Sequence, residues 1–368
     1  MDDKWIFAIF LIVYLFFYFV PPHGLIDSAV IGGLTMEHEY AKAHVLTCLV
    51  PAFFIAGAIT VLLKKDVILK YLGAKTNKVV SYAVASISGA VLAVCSCTIL
   101  PLFVGIWKRG AGLGPAIAFL YSGPAINIAA IFLTASVLGY EIGAARAVSA
   151  VFLAIIIGYL MELLFKKDER SAESELVTDK STSVPLGTAT ILIGLQILFL
   201  IVNGLQIEFQ TKIYLFAAII ALVSYMAIFV LKREQTKEWF LETWSLSKSL
   251  LPILFVGVFI AGAIQAILPS EYVTALLGGN NIIAILTASV IGAFMYFATL
   301  TEVPIIQALV SKGMGEGPAL ALLLAGPSLS LPAMLVIDKV LGHKKTIAYI
   351  VLVIIFSTVA GFIYGNYF

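Results

Sequence analysis

Glu302 is a carboxylate set in an apolar run, A-T-L-T-E-V-P-I-I. An ionisable side chain in such surroundings is costly and is usually kept for function, so the chemistry open to it is proton carriage or contact with a cation; the plainer reading is a solvated carboxylate at an outer vestibule. Cys95 and Cys97, in C-S-C-T, place two soft sulfur donors two residues apart. Such donors suit a soft metal or metalloid ion, with Cys48 as a third sulfur. Cysteine is equally a common small residue in packed helices. Ser96, Thr98, Ser122, Asn127, Thr299, Thr301, Ser328 and Ser330 add hydroxyl and amide groups to these two stretches, and Pro124 and Pro327 interrupt the apolar runs beside them.

The elements that must position these residues occur twice. Placing Pro101 on Pro304 also places Gly110 on Gly313, Gly112 on Gly315, Gly114-Pro115 on Gly317-Pro318, Gly123-Pro124 on Gly326-Pro327 and Gly139 on Gly342, without a gap. A further echo is F-I-A-G-A-I at 54–59 and 259–264. So many helix-interrupting residues in one register mark two copies of one unit. The second copy has no sulfur where the first has Cys95 and Cys97.

Apolar residues make up 61% of the 368-residue chain and charged residues 12%, and the mean hydropathy is +1.06. A soluble domain is nearer ~45–50% apolar, so the chain reads as an integral membrane protein, with room for about nine or ten segments of the ~20 residues that a crossing needs. The run from Trp5 to Val20 is read as a membrane helix and not a signal peptide, having no usual small-residue cleavage site. Residues 21–44, with His23, Asp27, Glu37, His38, Glu39 and His44, are read as a solvated external loop in preference to a metal site. The densest positive cluster, Lys64, Lys65, Lys70, Lys75 and Lys78, is assigned to the cytoplasm, which makes the N-terminus cytoplasmic as well.

Residues 79–107 are too long for one crossing, and one crossing would put Lys108 and Arg109 outside. They are read as a re-entrant pair of half-helices turning at Cys95-Ser96-Cys97. The same logic makes 281–310 a hairpin from the opposite face, turning at 299–302. The expected fold is therefore an all-α polytopic membrane protein with two inverted-topology repeats, each with a re-entrant helical hairpin and a Gly-Pro broken helix. Its divisions are 1–44 (helix and external loop), 45–165 (first repeat), 166–249 (cytoplasmic linker and two connecting helices) and 250–368 (second repeat). Trp239 and Trp244 are expected at an interfacial level, and so are Arg146 and Asp338, near helix ends.

Inverted repeats with broken helices are an architecture of secondary transporters, with the solute site where the breaks meet; the exposed helix ends there carry about half an electronic charge each. The residues expected at that centre are Cys95, Ser96, Cys97, Thr98, Ser122, Pro124, Asn127, Thr299, Thr301, Glu302, Pro327, Ser328 and Ser330, with Glu302 as the coupling group. Gly110, Gly112 and Gly114 are not followed by Lys-Ser/Thr, so no phosphate-cradling loop is present. No histidine falls in an expected membrane segment to activate a cysteine nucleophile, and the reading is not an enzyme and needs no cofactor. A passive channel and an intramembrane cysteine-dependent enzyme stand as the alternatives. The expected partners are a small solute or ion and the lipid bilayer, not nucleic acid, with homo-oligomerisation left open.

At C-S-C-x-x-x-P (Cys95 to Pro101), the glycine-rich loop around Gly112-Pro115 and S-G-P-A-x-N (Ser122 to Asn127), the chain resembles the permeases that include YraQ-type proteins and the ArsP organoarsenical efflux permeases. The resemblance covers roughly 45–165 and 250–365. It implies a polytopic inner-membrane permease, and for the solute a trivalent organoarsenical or other soft metal or metalloid species moved outward.

Overall fold

The computed structural model describes residues 24–62, 71–73, 76–92, 96–166, 184–204, 208–267, 276–295 and 302–367. Most of these residues are helical, and among them the only β-type pairing is an isolated bridge contact of Gly278 and Gly279 to Met314. The helices are α1 (Leu25–Tyr40), α2 (Val50–Leu62), α3 (Lys78–Leu92), α4 (Ser96–Lys108), α5 (Leu113–Ala125), α6 (Ile128–Val137), α7 (Tyr140–Leu164), α8 (Leu186–Gly204), α9 (Phe209–Tyr225), α10 (Arg233–Ile267), α11 (Ile282–Phe294), α12 (Glu302–Val310), α13 (Glu316–Leu329), α14 (Leu331–Leu341) and α15 (His343–Tyr367). A π-helical stretch, Ala41–Leu49, joins α1 to α2, and another, Met226–Val230, extends α9. Among the described residues four helices are long and apolar enough to cross a membrane, or six if each of two bent pairs is one span.

The helix bounds carry the sequence repeat. Helices α3, α5, α6 and α7 recur as α11, α13, α14 and α15 at an offset close to that between Pro101 and Pro304, and α4 recurs in part as α12. Left-handed glycines end the corresponding helices, Gly110 and Gly313 at φ +89° and +105° after α4 and α12, Gly139 and Gly342 at φ +113° and +82° after α6 and α14. Only glycine takes that conformation without a Cβ penalty.

Both broken helices bend. The axis turns by 43° between α5 and α6 and by 47° between α13 and α14. Pro124 and Pro327 sit in the last turns of α5 and α13, where each removes the donor that would bond the carbonyl four residues earlier. The break itself comes two or three residues beyond the proline, at 126–127 and at Ser330.

Helices α3 and α4 have 15 and 13 residues, about 20 Å each at ~1.5 Å per residue, short of a ~30 Å hydrocarbon core. The start of one and the end of the other adjoin: Gly112 N donates to Leu72 O at 2.7 Å. In the second copy Gly315 N donates to Leu277 O at 3.2 Å, and Asn280 Oδ1 accepts from Gly317 N at 3.0 Å. Arg109 fastens the end of α4 to the end of α2 by donating to Ile59 O and Val61 O, which satisfies carbonyls that a helix terminus leaves unpaired. Lys78 pairs with Glu162 and Lys108 with Glu242.

Lipid tails are as apolar as leucine, so helices in a bilayer associate through close packing of small residues. A Cβ on Gly158 of α7 would lie 2.7 Å from Gly114 O of α5, and one on Gly361 of α15 would lie 2.6 Å from Gly317 O of α13. The same glycine pair thus holds the same helix crossing in each copy. Gly361→Leu is expected to force α15 off α13, and the loss of monodisperse protein in detergent chromatography checks this; a variant that elutes and melts like the parent would contradict the crossing.

Four local expectations are corrected. Residues 25–44 are helical, not a loop: α1 packs along α10, so this polar stretch has a helical partner. The boundary drawn at 249/250 falls within the unbroken α10. Trp239 is buried, with its indole N–H donating to Phe54 O at 2.8 Å and its ring edge-on to Phe54, whereas Trp244 is exposed. The fourth is Arg146, described next.

Candidate functional site

Arg146 lies on α7 and is fully buried, not at the interface where its nearness to a helix end had put it. A guanidinium stays charged in a protein, so burying it requires an anion. That anion is Glu302, also fully buried, the first residue of α12. Arg146 Nη2 donates to Glu302 Oε1 at 2.5 Å, and Arg146 Nη1 donates to Thr134 Oγ1 of α6 at 2.9 Å. The Thr134 hydroxyl in turn donates to Ala130 O at 2.7 Å. Arg146 Nε and Glu302 Oε2 are buried with no hydrogen-bond partner among the described residues.

The pair joins the two copies, because α7 and α6 belong to the first and α12 to the second. Hydroxyls surround it. The Tyr121 phenol of α5 is buried near Arg146 and faces the side chains of Ser328 on α13 and Ser357 on α15. Tyr121 donates to Leu324 O at 3.4 Å, and Tyr349 of α15 donates to Ser328 O at 3.1 Å. Helix contacts cross between the copies in a reciprocal way: α12 packs on α6, and α4 packs on α14.

Of the residues expected at the centre, Thr98, Ser122, Asn127, Glu302, Ser328 and Ser330 are buried, as are Pro124 and Pro327. Ser122 spends its hydroxyl on Phe119 O at 3.1 Å, and Asn127 Oδ1 accepts from Ala130 N at 3.3 Å in the first turn of α6. Cys95, Thr299 and Thr301 lie outside the described residues, as do the side chains of Ser96, Cys97 and Cys48. Asp338 stands partly exposed near the end of α14, paired with His343. Among the described residues no group of three or more His, Cys, Asp or Glu is placed to hold a metal ion.

Sequence reading missed Arg146, Thr134, Tyr121, Tyr349 and Ser357. The signal for Arg146 was present. It is an ionisable residue in an apolar helix, the same feature that singled out Glu302.

A chain of apolar helices with two proline-bent pairs and a charged pair at its centre is a multi-pass membrane protein. It belongs to the ArsP-type family described as predicted permeases, whose pattern it matches over residues 31–366. It is 47% identical over 340 residues to the UPF0718 protein MJ0584 of Methanocaldococcus jannaschii, covering 89% of this chain and 93% of the relative. It is 22% identical over 310 residues to the UPF0718 protein YraQ of Escherichia coli, covering 83% and 74%. No solved structure matches the chain significantly.

Proposed function

We propose that the protein is a secondary permease that moves a small solute by alternating access of two inverted units, with the solute path where the units meet around Arg146 and Glu302. The observation that carries this reading is a buried ion pair, set among hydroxyls, whose two halves come from different units. A rocking motion of one unit against the other must make or break that contact.

Several contacts support the inverted arrangement. Lys345 at the start of α15 lies over the ring of Phe165 at the end of α7, while a groove of about 690 Å³ sets Glu141 at the start of α7 beside Tyr364 at the end of α15. The two helices then run in opposite directions, and so do the units they close. The adjoining feet of α3 and α4, and those of α11 and α12, support re-entrant hairpins from opposite faces. Cysteines placed at Lys78 and Lys108, both at exposed or partly exposed side chains, are expected to react with an impermeant thiol reagent from one side of the membrane, and a cysteine at Lys312 from the other. Labelling of Lys78Cys and Lys108Cys from opposite sides would end this reading.

The membrane is taken as the plasma membrane of a prokaryote with the N-terminus cytoplasmic, in keeping with the positive loops and with relatives from an archaeon and a bacterium. Outward movement of a trivalent organoarsenical or another soft metal or metalloid species is what the ArsP likeness suggests. Uptake by everted vesicles across a panel of metalloids, metals and small anions tests it, with saturable transport of at least one solute expected and its absence fatal. Replacing Cys95 and Cys97 together by Ser is expected to abolish transport of a thiol-seeking metalloid. Unchanged transport removes both the thiolate-ligand role and the cysteine-enzyme alternative.

A further inference from the structure

The Arg146–Glu302 contact is poorly matched for a pair kept only for stability. An arginine normally meets a carboxylate through two parallel N–H···O bonds. Here a single such bond joins Nη2 to Oε1, Nη1 is taken by Thr134, and among the described residues neither Nε nor Oε2, both buried, has a partner. The Nε–Nη2 edge of the guanidinium is therefore half used. It is the edge that fits two oxygens of one oxyanion or carboxylate.

The two charges also differ in what they can do. Arg146 keeps its charge, whereas a carboxylate can be neutralised by one proton. Arg146 is held on the long α7 and braced by Thr134 of α6, while Glu302 opens the nine-residue α12. The fixed member is positive and the replaceable member is negative. Few other titratable groups face the pair. Among the described residues of the elements packed on α12, α6 contributes none and α13 only Glu316, at its far end beside Tyr364; the Tyr121 phenol lies near Arg146, with Tyr349 beside Tyr121.

We propose that Arg146 is the binding group for a small monoanionic solute, an oxyanion or carboxylate, which takes the place of the Glu302 carboxylate as Glu302 accepts a proton. The site's net charge is unchanged by the exchange: one anion and one proton enter together. The phenol of Tyr121 near the guanidinium, and the hydroxyls of Ser328 and Ser357 beside that phenol, supply further polar groups. This rests on the permease reading and takes an anion, in place of a soft metalloid, as its solute. Coupling of this sign moves proton and anion the same way, so efflux runs down the solute's own outward gradient.

The test is equilibrium binding to the purified full chain in detergent, with formate, acetate, nitrate and inorganic phosphate as probes, each at pH 5.5 and pH 8. At least one probe is expected to bind wild type more tightly at pH 5.5, with uptake of one proton per anion measured by a dye in weakly buffered solution. Glu302→Gln frees Arg146 from its internal competitor and is expected to bind that probe about tenfold tighter at pH 8, with no proton uptake. Arg146→Gln is expected to bind none, and Arg146→Lys to recover part of the affinity. Binding unaffected in Arg146→Gln, or no probe bound by Glu302→Gln, overturns the inference. Because binding is read without transport, saturable vesicle transport alongside either negative result sinks this proposal and leaves the permease reading standing.

Discussion

Arg146→Ala is expected to cost about 3–5 kcal/mol of stability, the range for removing one member of a buried ion pair. The cost arises because Glu302, with no exposed surface, is left as a lone charge or must take up a proton to remain where it is. Glu302→Ala is expected to cost a similar amount for the complementary reason, since Arg146 cannot shed its charge. Replacing both, as Arg146→Met with Glu302→Leu, is expected to recover most of the loss, because neither charge is then left without the other and Thr134 still bonds Ala130 O. Thermal unfolding of the four proteins in detergent checks the set. Single variants as stable as the parent would mean that neither charge depends on the other.

Glu302→Gln is expected to abolish solute accumulation driven by a pH gradient while preserving exchange of solute across the same vesicles. One pH unit supplies about 1.4 kcal/mol per proton, so a one-proton carrier sustains about a tenfold concentration ratio for each unit of gradient. The glutamine keeps the shape but, being neutral, competes only weakly for Arg146 and cannot take up a proton, so the ratio is expected to fall to that of vesicles without a gradient. Accumulation that persists in this variant would move the coupling role elsewhere. Exchange and accumulation lost together would show only that the variant is inactive.

The positions of the helix breaks were legible because proline and glycine act locally. Pro124, Pro327, Gly139 and Gly342 terminate or bend helices through donor loss and left-handed backbone wherever they stand. Glu302 was legible for a similar reason, as a charge in an apolar run. Arg146 was not, because its place six residues into α7 suits a helix end at the interface as well as a site under α12, and only the packing of the two copies decides between them. Trp239 failed in the same way, since α10 is long enough to carry its first turns against α2. The helical state of residues 25–44 was hidden by their polarity. Polar side chains say that a surface is wetted or paired, not that the backbone is irregular.

The matching helix bounds have an evolutionary consequence. A half-length ancestor, duplicated and fused, leaves two such halves, and if they insert in opposite directions the ancestor must have been dual-topology and paired with its own mirror-oriented twin. In such a history, fusion releases each half from having to complement itself. Arg146 now stands opposite Tyr349 in the internal alignment, and Glu302 opposite Ile99, all four buried. The two halves share their helix pattern, while the buried Arg146 and Glu302 of one charged locus have uncharged counterparts in the other half.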